Sequence, residues 1–129
     1  LDSDLRDAGE AIRRKVLGDG YVDRAMAGAD AFSAPFQDMV NEYCWGLAWS
    51  DRTLAPAQRS LLNLGMLAAL GRMHEFRIHF HGALRNGLTP DELRATLIQI
   101  AVYCGIPAGV EAFRIAREVL AEAAQEDAG

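Results

Sequence analysis

The stretch Arg72-Met73-His74-Glu75-Phe76-Arg77-Ile78-His79-Phe80-His81-Gly82-Ala83-Leu84-Arg85-Asn86-Gly87-Leu88-Thr89-Pro90-Asp91-Glu92-Leu93 decides how this chain folds. Asn86-Gly87 reads as a left-handed helix stop. Thr89-Pro90-Asp91-Glu92 reads as a helix start, with Thr89 as N-cap, Pro90 at the first helical position and Glu92 reaching back to close a capping box. Two helices, over about 72–86 and 90–104, are therefore expected to form a tight antiparallel hairpin. A second stop-start pair, Gly105 and Pro107, follows it. All the histidines of the chain, His74, His79 and His81, lie on the first of these helices. The side chains whose ordinary pKa is nearest neutrality are thus gathered on one element.

Working outward, apolar residues recur at three- and four-residue spacing and strict alternation is absent, which predicts an all-α chain. Helices are expected at about 3–17, 22–31, 34–46, 56–71, 72–86, 90–104 and 107–124, a compact bundle of six to seven helices in one domain spanning 1–129. The N-terminal residues and 125–129 are expected to be peripheral. Gly18-Asp19-Gly20 reads as a stop, Ser33 as the cap of the third helix with Pro35 in its first turn, and Pro56 as a helix start. Between Leu61 and Leu70, Leu61, Leu62, Leu64, Met66, Leu67, Ala68, Ala69 and Leu70 cover nearly every side of one helix. A helix apolar all round is expected to be buried on all sides. In a domain this small that suggests a central position or a subunit interface, and a homo-oligomer is expected; burial wholly within one subunit is the alternative.

Composition narrows the functional classes. The 129 residues are 50% hydrophobic and 24% charged, with a net charge of −5. That balance leaves no basic stripe for a nucleic-acid partner. The apolar run from Leu61 is broken by Asn63 and is far short of the roughly 20 residues a membrane span needs. The polar, acidic start, Leu1-Asp2-Ser3-Asp4-Leu5-Arg6-Asp7, has no apolar core of a signal peptide, and a cytoplasmic location is expected. Cys44 and Cys104 form no CxxC or CxxH pattern and are expected to be reduced, buried and inert.

On the histidine helix, at about 100° per residue, Met73, Phe76, Phe80, Ala83 and Leu84 form the core face. Arg72, Glu75 and His79 form a polar stripe along one edge of that face. His74 and His81 fall on the opposite side, near Arg77 and Arg85. His79 and His81 diverge by about 160° and His74 and His81 stand roughly 10 Å apart along the axis, so no pair has the i, i+4 spacing of helical zinc ligands and no metal is expected. His79 is the acid–base candidate, with Glu75 one turn away to orient it and stabilise the imidazolium. The competing reading is a partly buried histidine in an ordinary helical ion pair, and spacing alone does not separate the two.

Glu42 lies next to Trp45 and Trp49, where desolvation would raise its pKa, or else on a solvated outer face. Arg59, near a helix start, is a candidate carboxylate binder at a pocket mouth or a surface arginine. Gly-rich phosphate loops and the GxSxG elbow are absent, so chemistry would rest on side chains alone.

Several blocks in order then carry a resemblance: Arg14-Lys15-Val16-Leu17-Gly18-Asp19, Val22-Asp23-Arg24-Ala25, Phe36-Gln37, Glu42-Tyr43, Trp45-Gly46, Trp49, Arg59-Ser60-Leu61-Leu62, Met66-Leu67, Glu75-Phe76-Arg77-Ile78-His79, Gly82-Ala83-Leu84-Arg85-Asn86-Gly87 and Tyr103-Cys104-Gly105-Ile106-Pro107-Ala108. Together they resemble the carboxymuconolactone decarboxylase family, over about Arg13 to Val119. The wider alkyl hydroperoxidase D-like superfamily, whose fold the resemblance implies, carries a redox pattern similar to E…CxxCxxxH. His79 takes its histidine position, Arg72 and Glu75 stand where the cysteines would be, and Ser60 stands at the upstream glutamate, which disfavours a peroxidase. Phe80-His81 stands where Val-Arg is expected, and Gly109 where a second alanine is common.

The resemblance implies cofactor-independent decarboxylation of 4-carboxymuconolactone, a lactone dicarboxylate, to the β-ketoadipate enol-lactone in protocatechuate breakdown, by a homo-oligomer of hexamer or trimer type. On that footing His79, Glu75 and Glu42 are the expected catalytic residues. Arg59, Arg72, Trp45, Tyr43 and His81 are expected to contact substrate. A related decarboxylase or isomerase acting on another lactone or a biosynthetic intermediate is the alternative, and a non-catalytic oligomeric subunit the second.

Overall fold

The computed structural model describes residues 2–128, the side chain of Ala128 excepted, and all regular structure among them is helical, as the spacing predicts. The helices fall into two compact units, Leu1–Pro56 and Ala57–Gly129. Among the described residues no helix is long and apolar enough to cross a membrane.

The first unit holds α1 (Ser3–Leu17), α2 (Asp19–Ala27) and α3 (Ala34–Met39), which continues directly into a π-helical segment, Val40–Ala48. Asp2 caps α1 by accepting from the Leu5 amide at 3.1 Å. α1 lies on the π-helical segment backbone to backbone. A Cβ on Gly9 would stand 1.7 Å from the Asn41 carbonyl oxygen, and one on Gly46 would stand 2.6 Å from the Leu5 carbonyl oxygen. Arg13, buried in this contact, donates from Nη1 to Gln37 Oε1 and Asn41 Oδ1, each at 3.0 Å. Arg14 ties α1 to α2 through Asp23 at 2.7 Å and Asp19 at 3.2 Å.

Three expectations are corrected here. α2 occupies 19–27 rather than 22–31, because Gly18 alone supplies the bend. Beyond it Asp30 captures the Phe32 and Ser33 amides at 3.0 and 2.9 Å, a local turn that competes with helix. Ser33 sits at the N-cap of α3 but makes no capping bond; its hydroxyl instead meets Asp30. The third helix, expected as one α-helix over 34–46, winds to the π pattern from Val40, with the Trp49 amide bonding to the Cys44 carbonyl at 3.3 Å. Such segments recur at functional sites.

The second unit holds α4 (Pro56–Leu70), α5 (Met73–Arg85), α6 (Pro90–Cys104) and α7 (Ile106–Ala128). Its core is built by Leu64 and Ala68 of α4, Phe76, Phe80 and Ala83 of α5, Leu93, Leu97 and Ile100 of α6 and Ala112, Ile115, Ala116 and Val119 of α7. The expected face of α5 is thus the one buried, with Met73 and Leu84 packed at its margin. α4 ends in a Schellman motif: Gly71, at φ 72°, bonds to the Ala68 carbonyl and Arg72 to the Leu67 carbonyl. The expected stop at Asn86-Gly87 is a second one, with Gly87 bonding to Leu84 and buried Leu88 to Ala83. The capping box of α6 is formed as predicted, Thr89 Oγ1 accepting from the Glu92 amide at 3.1 Å and Glu92 Oε1 from the Thr89 amide at 3.0 Å.

Gly105, at φ 105°, turns the chain from α6 straight into α7. The glycine at position 109 also acquires a reason: a Cβ there would stand 2.5 Å from Ala101 Cβ, so α7 can approach α6 this closely only without one. The alternative that α4 is buried on every side within one subunit is corrected. Ser60, Leu64 and Ala68 are buried, whereas Leu62, Met66 and Leu70 are 53%, 47% and 73% exposed in the single chain.

Two substitutions test this packing. Gly9→Ala should gain up to about 1 kcal/mol of helix propensity but lose about 1–3 kcal/mol to overpacking against a backbone that cannot rotate away, for a net loss of stability. A urea midpoint equal to or above that of the parent would mean that α1 does not contact the π-helical segment this closely. Thr89→Ala should lower stability by about 1 kcal/mol by removing the cap, measured in the same titration.

Candidate active site

The polar edge of α5 is assembled as its spacing predicts. Arg72, at the N-cap position, donates from Nη2 and Nε to Glu75 Oε1 at 2.9 and 3.2 Å. That guanidinium holds the Glu75 carboxyl below the usual carboxylate range, so it is ionised at neutral pH. One turn on, His79 is half-buried at the margin of the core. Burial pushes the His79 pKa below 6.5, and the opposing pull of Glu75 does not overcome it. The expected stabilisation of an imidazolium by Glu75 is therefore outweighed. The ring is neutral at pH 7 in the free protein, because desolvation disfavours the charged form more than a carboxylate already shared with Arg72 favours it.

The sequence reading missed Asn63. Its Nδ2 approaches His79 Nδ1 at 3.4 Å across the α4–α5 contact. One turn earlier on α4, Ser60 is fully buried and its Oγ accepts from Asn86 Nδ2 at 2.9 Å. The signal was present, since Asn63 is the polar residue that interrupts the apolar run, but nothing local names its partner. Ser60, at the superfamily's glutamate position, thus joins two helix ends and supplies no relay carboxylate. Arg59 is half-buried beside it on α4.

His81 is not brought to this edge. Its Nε2 lies 3.1 Å from Glu122 Oε2 on α7, where Arg77 also pairs with Glu118 and Glu122. His74 is exposed. Among the described residues no group of three or more His, Cys, Asp or Glu side chains is placed to hold a metal ion. Cys44 and Cys104 are free but exposed, which corrects the expectation of burial: one lies on the outer side of the π-helical segment and the other at the last residue of α6.

The remaining expected residues belong to the first unit. Glu42 is buried, with Oε1 accepting from the Asp2 amide at 2.8 Å and Oε2 without a hydrogen-bond partner among the described residues. It is not on a solvated face. Trp45 is buried against Trp49, ring centroids 4.8 Å apart, and Tyr43 is 51% exposed.

Grooves elsewhere in the second unit are apolar in character. One of about 810 Å³ runs along α6 and α7 beside Gly109 and Phe113, and one of about 430 Å³ lies between α4 and α6 beside Gly65 and Tyr103. Neither is lined by Glu75 or His79. A third groove, of about 470 Å³, is lined by His81 and Arg85, so a histidine, an arginine and a carboxylate meet both at the edge of Arg72, Glu75 and His79 and on the side of α5 that faces α7.

Comparison with known proteins bears on this arrangement. The family model described as "Carboxymuconolactone decarboxylase family" matches residues 34–118. The chain is 37% identical over 116 residues to a nitrosuccinic acid decarboxylase of Metarhizium robertsii, covering 90% of this chain and 81% of that protein. It is 36% identical over 111 residues to a 4-carboxymuconolactone decarboxylase of Acinetobacter baylyi, covering 86% of this chain and 83% of that protein. An uncharacterized 15.0 kDa protein of Paracoccus denitrificans is 32% identical over 91 residues, 69% of this chain and 67% of its own length. The matched region takes in α3, the π-helical segment and the whole polar edge of α5, and with relatives similar over most of its length this chain belongs to the carboxymuconolactone decarboxylase family.

Proposed function

We propose that the protein is a cofactor-independent carboxy-lyase that converts 4-carboxymuconolactone to the β-ketoadipate enol-lactone. The observation that carries this reading is the edge of α5, where Arg72, Glu75 and a desolvated neutral His79 stand together in a chain similar to a decarboxylase of that substrate.

The substrate carries a carboxylate and an acetate arm on one ring carbon. Breaking the bond to the carboxylate releases CO2 and sends its electron pair through the ring alkene into the lactone carbonyl, forming a dienolate. A proton added at the α-carbon completes the enol-lactone. The electron sink is in the substrate, so the protein has to hold carboxylates, stabilise charge on the lactone oxygen and supply a proton.

A neutral imidazole suits the second task, donating its N–H to the oxygen as negative charge builds, an interaction that strengthens in a site partly removed from water. Arg72 uses only part of its donor fork on Glu75 and has N–H groups left for a carboxylate, and Arg59 is the second carboxylate binder. Glu75 and Arg72 orient each other beside His79. The exposed side chains Leu62, Met66 and Leu70 of α4 are covered by a second copy in a homo-oligomer.

A second reading is supported by the similarity to the nitrosuccinic acid decarboxylase. Nitrosuccinate is also a dicarboxylate with a built-in sink. Loss of CO2 from the carbon bearing the nitro group places the electron pair on the nitro oxygens, and the same three tasks arise.

Purified, metal-stripped protein should consume 4-carboxymuconolactone with release of CO2, followed by ring absorbance. Turnover of nitrosuccinate alone would transfer the assignment to the second reading, and turnover of neither by folded protein would overturn both. His79→Ala should lower kcat/KM by roughly 10²-fold or more with the fold retained. Because the active form is the neutral ring with a lowered pKa, kcat/KM should be level near neutrality and fall as pH drops through a value below 6.5. A rate that instead rises toward acid would show that the imidazolium is the working form.

A further inference from the structure

We infer that Asn63 is a positioning residue that holds His79 as the Nε2–H tautomer, by placing its amide N–H against Nδ1. A neutral imidazole has one donor nitrogen and one acceptor nitrogen, and the partner of one decides the state of the other. Asn63 and Glu75 both lie near this ring. Glu75, four residues earlier on the same helix, is acceptor-only and would draw the proton to the nitrogen it faces, but its Oε1 already receives two bonds from Arg72. Asn63, on the neighbouring helix, presents Nδ2 at 3.4 Å to Nδ1. With Nδ1 accepting, the proton resides on Nε2.

The placement is built into the scaffold. Asn63 follows Ser60 by three residues, so both lie on one side of α4. They form two polar rungs to the helix and end of α5, Asn63 with His79 and Ser60 with Asn86. The flanking residues of the run are apolar and the connection between the helices is the short turn at Gly71, so neither rung can slide far. A half-buried asparagine in a helix with low intrinsic preference for it is retained against the propensity of the segment. Its amide makes the cross-helix contact to the one histidine on the polar edge.

The catalytic consequence rests on the proposed role of His79 as donor to the substrate oxygen; the tautomer does not. The test is long-range 1H–15N correlation of the imidazole rings in 15N-labelled protein at a pH above the His79 transition, with His79→Ala for assignment. The wild type should show a pyridine-type Nδ1 and a pyrrole-type Nε2. Asn63→Asp, which can only accept, should move the proton to Nδ1, and Asn63→Leu should leave a mixture of tautomers. Asn63→Asp should lower kcat by roughly 10²-fold and Asn63→Leu by only about a few-fold, in proportion to the tautomer lost, with KM changed far less in both. A wild-type ring protonated at Nδ1, or one whose tautomer ignores both substitutions, overturns the inference. If Asn63→Asp switches the tautomer yet turnover is unchanged, the positioning holds and the role proposed for His79 is what fails.

Discussion

Because Gly71 takes φ 72° and the two amides at and after it return to carbonyls of the last turn, α4 ends abruptly and α5 starts two residues later. That reversal sets the register in which α5 lies along α4. It sends Phe76, Phe80 and Ala83 into the core with Leu64 and Ala68, and it leaves Ser60 and Asn63 facing Asn86 and His79. A shift of one helical position at this turn would rotate the partners by about 100° and separate both polar pairs. The chemistry of the edge therefore depends on a backbone conformation that carries no chemistry itself.

The electrostatics of the edge follow from unequal exposure. Arg72 and Glu75 stand at the solvent end of α5, where their bond organises the pair but contributes little to stability. His79, a turn further in, loses solvent without gaining a full counter-charge, so it stays neutral. A neutral donor beside an ionised carboxylate and a guanidinium is suited to a reaction in which charge appears on an oxygen and the substrate arrives as an anion. The same residues with a protonated histidine would bind the anion more tightly before the reaction and gain less from the transition state.

Local and periodic features were legible in the sequence. Thr89 and Glu92 are three residues apart and formed their capping box; Asn86-Gly87 stopped α5; the 3.6-residue spacing placed Phe76, Phe80 and Ala83 in the core and Arg72, Glu75 and His79 on one edge. What escaped was tertiary or lay outside the α-helical period. Asn63 meets a side chain sixteen residues away and His81 one forty-one away, and no spacing rule connects them. The π-helical segment escaped because Trp45 and Trp49 read equally well as an α-helical pair. The apolar run of α4 announced a helix apolar all round, but not which of its sides the chain itself buries: Ser60, Leu64 and Ala68 are inside and Leu62, Met66 and Leu70 are exposed in the single chain.

The proposed chemistry turns on a neutral His79, and the direct measurement is an NMR pH titration of its ring in the free protein. The midpoint should lie below the ordinary 6.5, since burial outweighs Glu75. It should fall further in Glu75→Gln, which removes the opposing charge. A midpoint at or above 6.5 would contradict the account, because the ring would then carry substantial positive charge near neutrality, and an imidazolium acid would have to replace the neutral donor.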